Sequence, residues 1–251
     1  MMITVTILVK DAERKLEEVL TSVRGFAEVI LVDTGSTDAT MKIARQFPNV
    51  RIFEREFIGF GLLRNYAATL ATHDWILSLD GDEVLSDPLQ QEILALQLRE
   101  DVVYALPFHN YFNKKHIRTA GWYPERHVRL YHRKKCAFSE VQVHEKVERG
   151  QLRECCLRHP IQHYPYDTIA DFLTKMQRYS HLFALQHVGK KSSSPWSAFY
   201  HGVGGFMKSY FIKRGVFGGY EGFLISLYNG HTAFYKYLKL YHLNIASRGK
   251  C

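Results

Sequence analysis

The 251-residue sequence predicts an α/β fold: a mainly parallel, doubly wound sheet followed by an aromatic-rich helical C-terminal region. Three observations predict it. Short β-branched runs alternate with amphipathic helical patterns over the first hundred residues, the arrangement that yields parallel strands joined by helices. Trp75-Ile76-Leu77-Ser78-Leu79 has four apolar residues in five and reads as a strand buried on both faces. That strand breaks off into Asp80-Gly81-Asp82-Glu83, three carboxylates in four residues, at the strand end where open α/β sheets hold their ligands.

The elements follow in order. Ile3 to Val9 is a β-branched first strand, and from Asp11 a helical pattern sets Leu16, Val19, Leu20 and Val23 on one face. Val29 to Val32 is a second strand ending in Asp33-Thr34-Gly35-Ser36-Thr37-Asp38, with Ser36 or Thr37 as N-cap of a helix carrying Met41, Ile43, Ala44 and Phe47. Val50 to Phe53 is a third strand, a helix runs from about Leu62 to Ala71, and Pro88 starts another after the acidic turn. Gly59-Phe60-Gly61 echoes a dinucleotide fingerprint but lacks its third glycine and does not follow the first strand. Beyond Val102 come short β-like runs, Val102–His109, Arg126–Tyr131, Val141–Val147 and Leu157–His163, between basic and aromatic loops. From Thr168 the pattern is helical again, with Phe172, Met176, Tyr179 and Phe183 at helical spacing, and Lys190 to Pro195 reads as a loop.

Composition narrows the function. Hydrophobic content of 46% with 23% charged residues is that of a globular chain rather than a disordered one. The net charge of +8 favours an anionic partner: nucleic acid, an acidic membrane leaflet or a phosphorylated substrate. Scattered cations and the lack of a recognition motif weigh against a basic nucleic-acid-binding protein, the reading of another class. Cys136, Cys155, Cys156 and Cys251 form no C-x-x-C pair, so reduced thiols in a cytoplasmic protein are expected. Ile3 to Val9 is too short for a signal peptide, and no uncharged run is long enough to span a bilayer. Trp196 to Tyr241 is crowded with aromatics and punctuated by Lys208, Lys213, Arg214, Lys236 and Lys239, with Glu221 the only acid. Such a segment suits a peripheral membrane surface on the cytoplasmic face, or packing on protein.

The acids themselves carry chemistry. Carboxylates this close repel unless a cation lies between them, and a hard ion such as Mg²⁺ or Mn²⁺ gripping a diphosphate meets that need. The bland alternative is an acidic turn serving the next helix N-terminus.

Ile30-Leu31-Val32-Asp33-Thr34-Gly35-Ser36-Thr37-Asp38, followed by Leu77-Ser78-Leu79-Asp80-Gly81-Asp82-Glu83 with Arg64-Asn65 between, resembles the family 2 glycosyltransferases of the GT-A fold. Arg129-Leu130-Tyr131, Val143-His144-Glu145 and Ile161-Gln162-His163-Tyr164 resemble the subgroup of bacterial lipopolysaccharide inner-core β-glucosyltransferases. The resemblance covers roughly residues 3 to 185. It implies metal-dependent, inverting transfer of a hexose, glucose in that subgroup, from a UDP-sugar to a hydroxyl of a lipid-linked or phosphorylated glycan at the inner membrane. A protein or soluble acceptor is the alternative within the fold.

The resemblance also implies roles. Asp82 and His163 would be metal ligands, Glu145 the catalytic base, and Val9, Asp11, Asp33, Arg64, Asp80 and Gly81 the nucleotide-sugar site. Trp122 and Arg126 would lie on the acceptor side. Residues 1–165 would form the catalytic domain, 1–105 binding the nucleotide sugar and 106–165 the acceptor, with 166–251 a helical region for membrane association or dimerisation. Each has a structural alternative: His163 packed on Tyr164, Glu145 paired with Lys146 or Arg149, Arg64 against Asp80, Trp122 buried. Many relatives carry Asn-Glu where this chain has Asp11-Ala12, which loosens the inference to uridine.

Overall fold

β1 (Ile3–Val9) is buried along its whole length and forms the middle of a parallel group with β2 (Glu28–Asp33), β3 (Val50–Glu54) and β4 (Trp75–Asp80). The computed structural model describes residues 3–140 and 145–248. Two units are distinguished within it: Met1–His109 with Glu125–His163, and Asn110–Pro124 with Tyr164–Cys251.

In the first unit the strand order is β3-β2-β1-β4-β8-β6-β10-β5. The half beyond β4 is antiparallel: β8 (Glu125–His132) pairs with β4 and with β6 (Val102–Phe112), and β5 (Glu83–Leu85) pairs with β10 (Ile161–His163). β9 (Arg153–Cys156) runs parallel to β6. Alternate residues of β1 explain the double covering. Ile3, Val5, Ile7 and Val9 share a core cluster with Leu16, Val19 and Leu20 of α1 (Leu16–Ser22), Ala44 of α2 (Thr40–Ala44), and Leu89 and Ile93 of α4 (Asp87–Ala95). Leu8 points the other way, with Ile30 and Val32, onto Leu63 and Ala67 of α3 (Phe60–Leu70).

One local expectation changes. α2 begins at Thr40, and neither Ser36 nor Thr37 caps it. The Ser36 hydroxyl donates to Asp33 instead, and the Thr37 backbone N–H donates to Asp11. The 141–147 run largely falls outside the described residues; of its remainder, Val147 makes a single antiparallel bridge to Phe138.

The second unit holds β7 (Lys115–His116), α5 (Ile169–His187), α6 (Pro195–Met207), a π turn at Lys208–Ile212, a 3₁₀ turn at Gly215–Gly218 and α7 (Gly219–Arg248). A reciprocal Thr168–Asp171 capping box starts α5. Residues 110–124, grouped with the first domain from sequence, belong here because Phe112, Ile117 and Ala120 are buried with Phe172 and Ile225.

Glu28 fastens one edge of the parallel group. It accepts from Thr4 Oγ1 at 2.6 Å, from the Thr72 N–H and hydroxyl at 2.8 Å each, and from Arg51 Nη1 at 2.6 Å. Burial works to raise its pKa, and these hydrogen bonds overcome it, lowering the carboxyl from 4.5 to about 2. A depressed carboxylate pKa stabilises the fold above its unfolded value, and that stability is lost as pH falls toward the folded one. Urea unfolding at pH 6 and pH 3 should therefore show the wild type losing about 2 kcal/mol more than Glu28→Gln. Equal losses would remove this role for Glu28.

Candidate active site

The parallel register sets the site. Val9 lies opposite Asp33 and Leu8 opposite Asp80, so the carboxyl ends of β1, β2 and β4 finish at one edge, as ligand sites in α/β sheets require. The loops leaving β1 and β2 are laced together there. The Asp11 N–H donates to Ser36 Oγ, Asp11 Oδ1 accepts from the Thr37 N–H at 2.8 Å, and Glu13 Oε2 accepts from the Ala39 N–H at 2.9 Å. Asp11 adopts a left-handed backbone, φ 50°. The buried Asp33 carboxylate accepts the Gly35 and Ser36 N–H groups, so it shapes its own loop. The Thr34 N–H donates to the Val9 carbonyl at 3.0 Å.

At the end of β4, Asp80 sits between two arginines. Arg64 of α3, only 3% exposed, donates from Nη2 to both Asp80 oxygens at 2.7 Å and from Nη1 to Ser78 Oγ at 2.9 Å. Arg129 of β8 donates from Nη2 to Asp80 Oδ2 at 3.2 Å and to Glu83 Oε1. Each guanidinium also rests on a ring, Arg64 on Phe138 at 5.2 Å and Arg129 on Phe108 at 5.4 Å. Burial by itself raises the Asp80 carboxyl, but the Arg64 and Arg129 charges more than reverse this and hold it well below the usual carboxylate range, though 30% of its side chain reaches solvent. Glu83 is enclosed, and burial pushes its carboxyl above the usual range; Arg129 opposes the shift and Asp80 adds to it. Glu83 Oε2 accepts the Asp80 N–H at 3.0 Å, closing the acidic turn on itself.

Arg64 has a third partner. Its Nε donates to Glu145 Oε1 at 3.3 Å. Glu145 immediately precedes the second side of a short ladder in which Phe138 and Val147 pair, the Ser139 N–H donates to the Lys146 carbonyl, and the Glu148 N–H donates to the Ala137 carbonyl. Asn65, next to Arg64 on α3, clamps that ladder: its Nδ2 donates to the Phe138 carbonyl at 2.9 Å and its Oδ1 accepts the Phe138 N–H at 2.8 Å. Gly61, one turn earlier, has to be glycine because a Cβ there would stand 1.9 Å from the Ser139 carbonyl oxygen. The Gly59-Phe60-Gly61 stretch thus serves the close approach of α3 to this ladder.

Asp82 and His163 form the outer part of the site. β5 pairs His163 directly with Glu83, and His163 Nε2 lies 3.7 Å from Asp82 Oδ1, its ring edge-on to Phe108. No group of three His, Cys, Asp or Glu residues that could hold an ion occurs among the described residues. One carboxylate and one imidazole fit an Mg²⁺ or Mn²⁺ that draws its other ligands from a diphosphate and water. Gly81, between the two aspartates, is buried against Val9 and Ala12.

Val9, Asp11, Asp33, Arg64, Asp80, Gly81, Asp82, Glu145 and His163 all belong to the first unit. Of the partners expected for Arg64, Asp80 is the one the structure gives it. Trp122 lies in the second unit, stacked on Tyr166 and Phe172. Arg126, largely exposed on β8, has its Nε 3.7 Å from Glu154. Arg129 and Glu83 are the site residues that sequence reasoning left without roles. The signal for Arg129 was a cation beside Leu130 and Tyr131 in a strand.

Replacing Arg64 by Met takes the guanidinium from Glu145 and leaves Asp80 with Arg129 alone, and should cost about 3 kcal/mol of stability in urea unfolding. Arg64→Lys should fall between, since it keeps the charge without the fork. A loss under about 1 kcal/mol for Arg64→Met would show that the pairing carries little of the fold.

Comparison with known proteins adds the following. The family model for glycosyl transferase family 2 matches residues 4–150. An uncharacterized glycosyltransferase of Rickettsia typhi is 27% identical over 270 residues, covering 98% of this chain and 89% of that one. The mannosyltransferase PcManGT of Pyrobaculum calidifontis, solved with GDP-Man and Mn²⁺, superposes with a TM-score of 0.55 at 14% identity, over 95% of this chain and 86% of that one. TarS 1–349 of S. aureus with UDP-GlcNAc gives 0.51 at 13% identity, over 100% and 92%. At these identities the two structures share the fold.

Proposed function

This chain belongs to glycosyl transferase family 2, and we propose that it moves a hexose, glucose foremost, from a UDP-sugar to a hydroxyl of a lipid-linked, phosphorylated glycan such as a lipopolysaccharide core, with inversion. The observation that carries the reading is Arg64, whose one guanidinium engages both Asp80 at the acidic turn and Glu145. In this reading that guanidinium joins the donor subsite to the base.

In this reading the acceptor oxygen attacks the anomeric carbon as the bond to the diphosphate breaks, and the electron pair of that bond leaves with UDP. The acceptor proton passes to Glu145. Arg64 takes Glu145 Oε1, leaving Oε2 to receive the proton and fixing its direction. Asp82 and His163 would hold Mg²⁺ or Mn²⁺, which when bound supplies positive charge to the departing diphosphate. Asp80, fully ionised between its arginines, keeps the turn in place and offers its exposed edge to a ribose hydroxyl or a water. The Asp33 loop and the Asp11 turn would enclose the nucleotide at the end of β1, with the Val9 and Gly81 backbone as its floor. Arg126 would lie on the acceptor side.

Support comes from the family, from solved proteins of the same fold that bind nucleotide sugars, GDP-Man with Mn²⁺ in one and UDP-GlcNAc in another, and from the net charge of +8, which suits a phosphorylated acceptor.

Release of UDP from UDP-glucose with Mn²⁺ tests the mechanism. Glu145→Gln should lower turnover by about 100- to 10,000-fold with UDP affinity changed less than about threefold. Comparable turnover by the variant would remove Glu145 as base. In thermal unfolding with Mn²⁺, UDP-glucose should raise the midpoint and GDP-mannose should not; the reverse would overturn the uridine reading.

A further inference from the structure

α6 is built inside out. Ala198, Gly202 and Gly205 form its inward face, where a Cβ on Gly202 would stand 2.9 Å from the Phe234 Cβ and one on Gly205 would stand 3.2 Å from the Ala233 Cβ. These small residues let α6 lie almost backbone to backbone on α7. The large apolar residues face outward: Trp196, Phe199, Tyr200, Val203 and Met207 recur at helical spacing and are all exposed, Trp196 by 70%. The turns after α6 expose large apolar residues too, Ile212 by 77% and Phe217 by 81%. A helix pair adapted to water buries its large residues and exposes its small ones, so a continuous outward stripe marks an interaction surface.

Charge identifies what covers it. Residues 172–251 carry 11 Lys and Arg against one acid, Glu221. That acid is turned inward, buried and ion-paired with Lys115 at 3.0 Å. Two copies meeting through the stripe would press like charge on like charge. An anionic bilayer supplies both an apolar layer for the rings and negative headgroups for Lys190, Lys208 and their neighbours. No helix among the described residues is long and apolar enough to cross a membrane, which fits a segment lying in the interface plane. We infer that the outward stripe of α6 and the turn after it dock this chain on an anionic membrane surface. The inference belongs to the second unit alone and stands whether or not the sugar-transfer reading does.

Cosedimentation of the full chain with vesicles, without nucleotide sugar, tests it. The wild type should bind phosphatidylglycerol–phosphatidylethanolamine vesicles about tenfold or more tightly than phosphatidylcholine vesicles, and less as salt rises. W196S/F199S/V203S, confined to exposed positions, should keep the far-UV dichroism and lose binding about tenfold or more. Brominated lipid should quench tryptophan emission in the wild type and not in Trp196→Phe. Equal vesicle binding by the triple variant would overturn the proposal. So would a wild-type dimer in sedimentation that the triple variant dissolves while neither binds vesicles, because a second copy then covers the stripe.

Discussion

Asp80 is the constraint on which the site depends. A carboxylate at the end of a buried strand needs compensation, and here two guanidiniums from opposite sides of the turn supply it, one from α3 and one from β8. Because each arginine has a second acidic partner, the compensation also ties Glu145 and Glu83 to the strand end. Removing either arginine would affect several groups. That coupling makes the arrangement a frame, where isolated surface ion pairs would contribute little.

The sheet explains why the frame stands where it does. Parallel pairing of β2, β1 and β4 brings their carboxyl ends level, and the switch to antiparallel pairing at β8 places Arg129 across from the acidic turn. The β5–β10 pair then carries His163 to the side of Asp82. α3 contributes by proximity: Gly61 admits the Ser139 backbone, Asn65 grips Phe138, and Arg64 reaches inward to Asp80 and Glu145. Three neighbouring residues of one helix thus join a strand end to a distant loop.

What could be read from the sequence follows from range. The strands of the parallel half were legible because burial on both faces gives unbroken apolar runs, as in Ile3 to Val9. The acidic turn was legible because its residues are adjacent in the chain. Of the arginine partnerships, Arg64 with Asp80 was foreseen; the others were not, since Arg64 meets Glu145 across 81 positions and Arg129 meets Asp80 across 49. No local pattern encodes such distances. Ser36 and Thr37 look like helix caps by type, yet a local partner, Asp33, and a distant one, Asp11, claim them. Trp122 was grouped with the catalytic domain because aromatic composition does not say which core receives a ring; Tyr166 and Phe172 receive this one. In α6 composition announced the aromatics, and only the packing of its glycines on α7 shows that they face outward.

The claim at the centre is that the frame around Asp80 presents Asp82 and His163 to a cation-bound diphosphate. Calorimetric titration of UDP with and without Mn²⁺, on the wild type and on Asp82→Asn, tests it most directly. The account predicts that Mn²⁺ tightens UDP binding to the wild type by about tenfold or more, and that Asp82→Asn loses this gain while its fold persists. UDP affinity that is the same with and without the cation, or a full gain retained by Asp82→Asn, would contradict it.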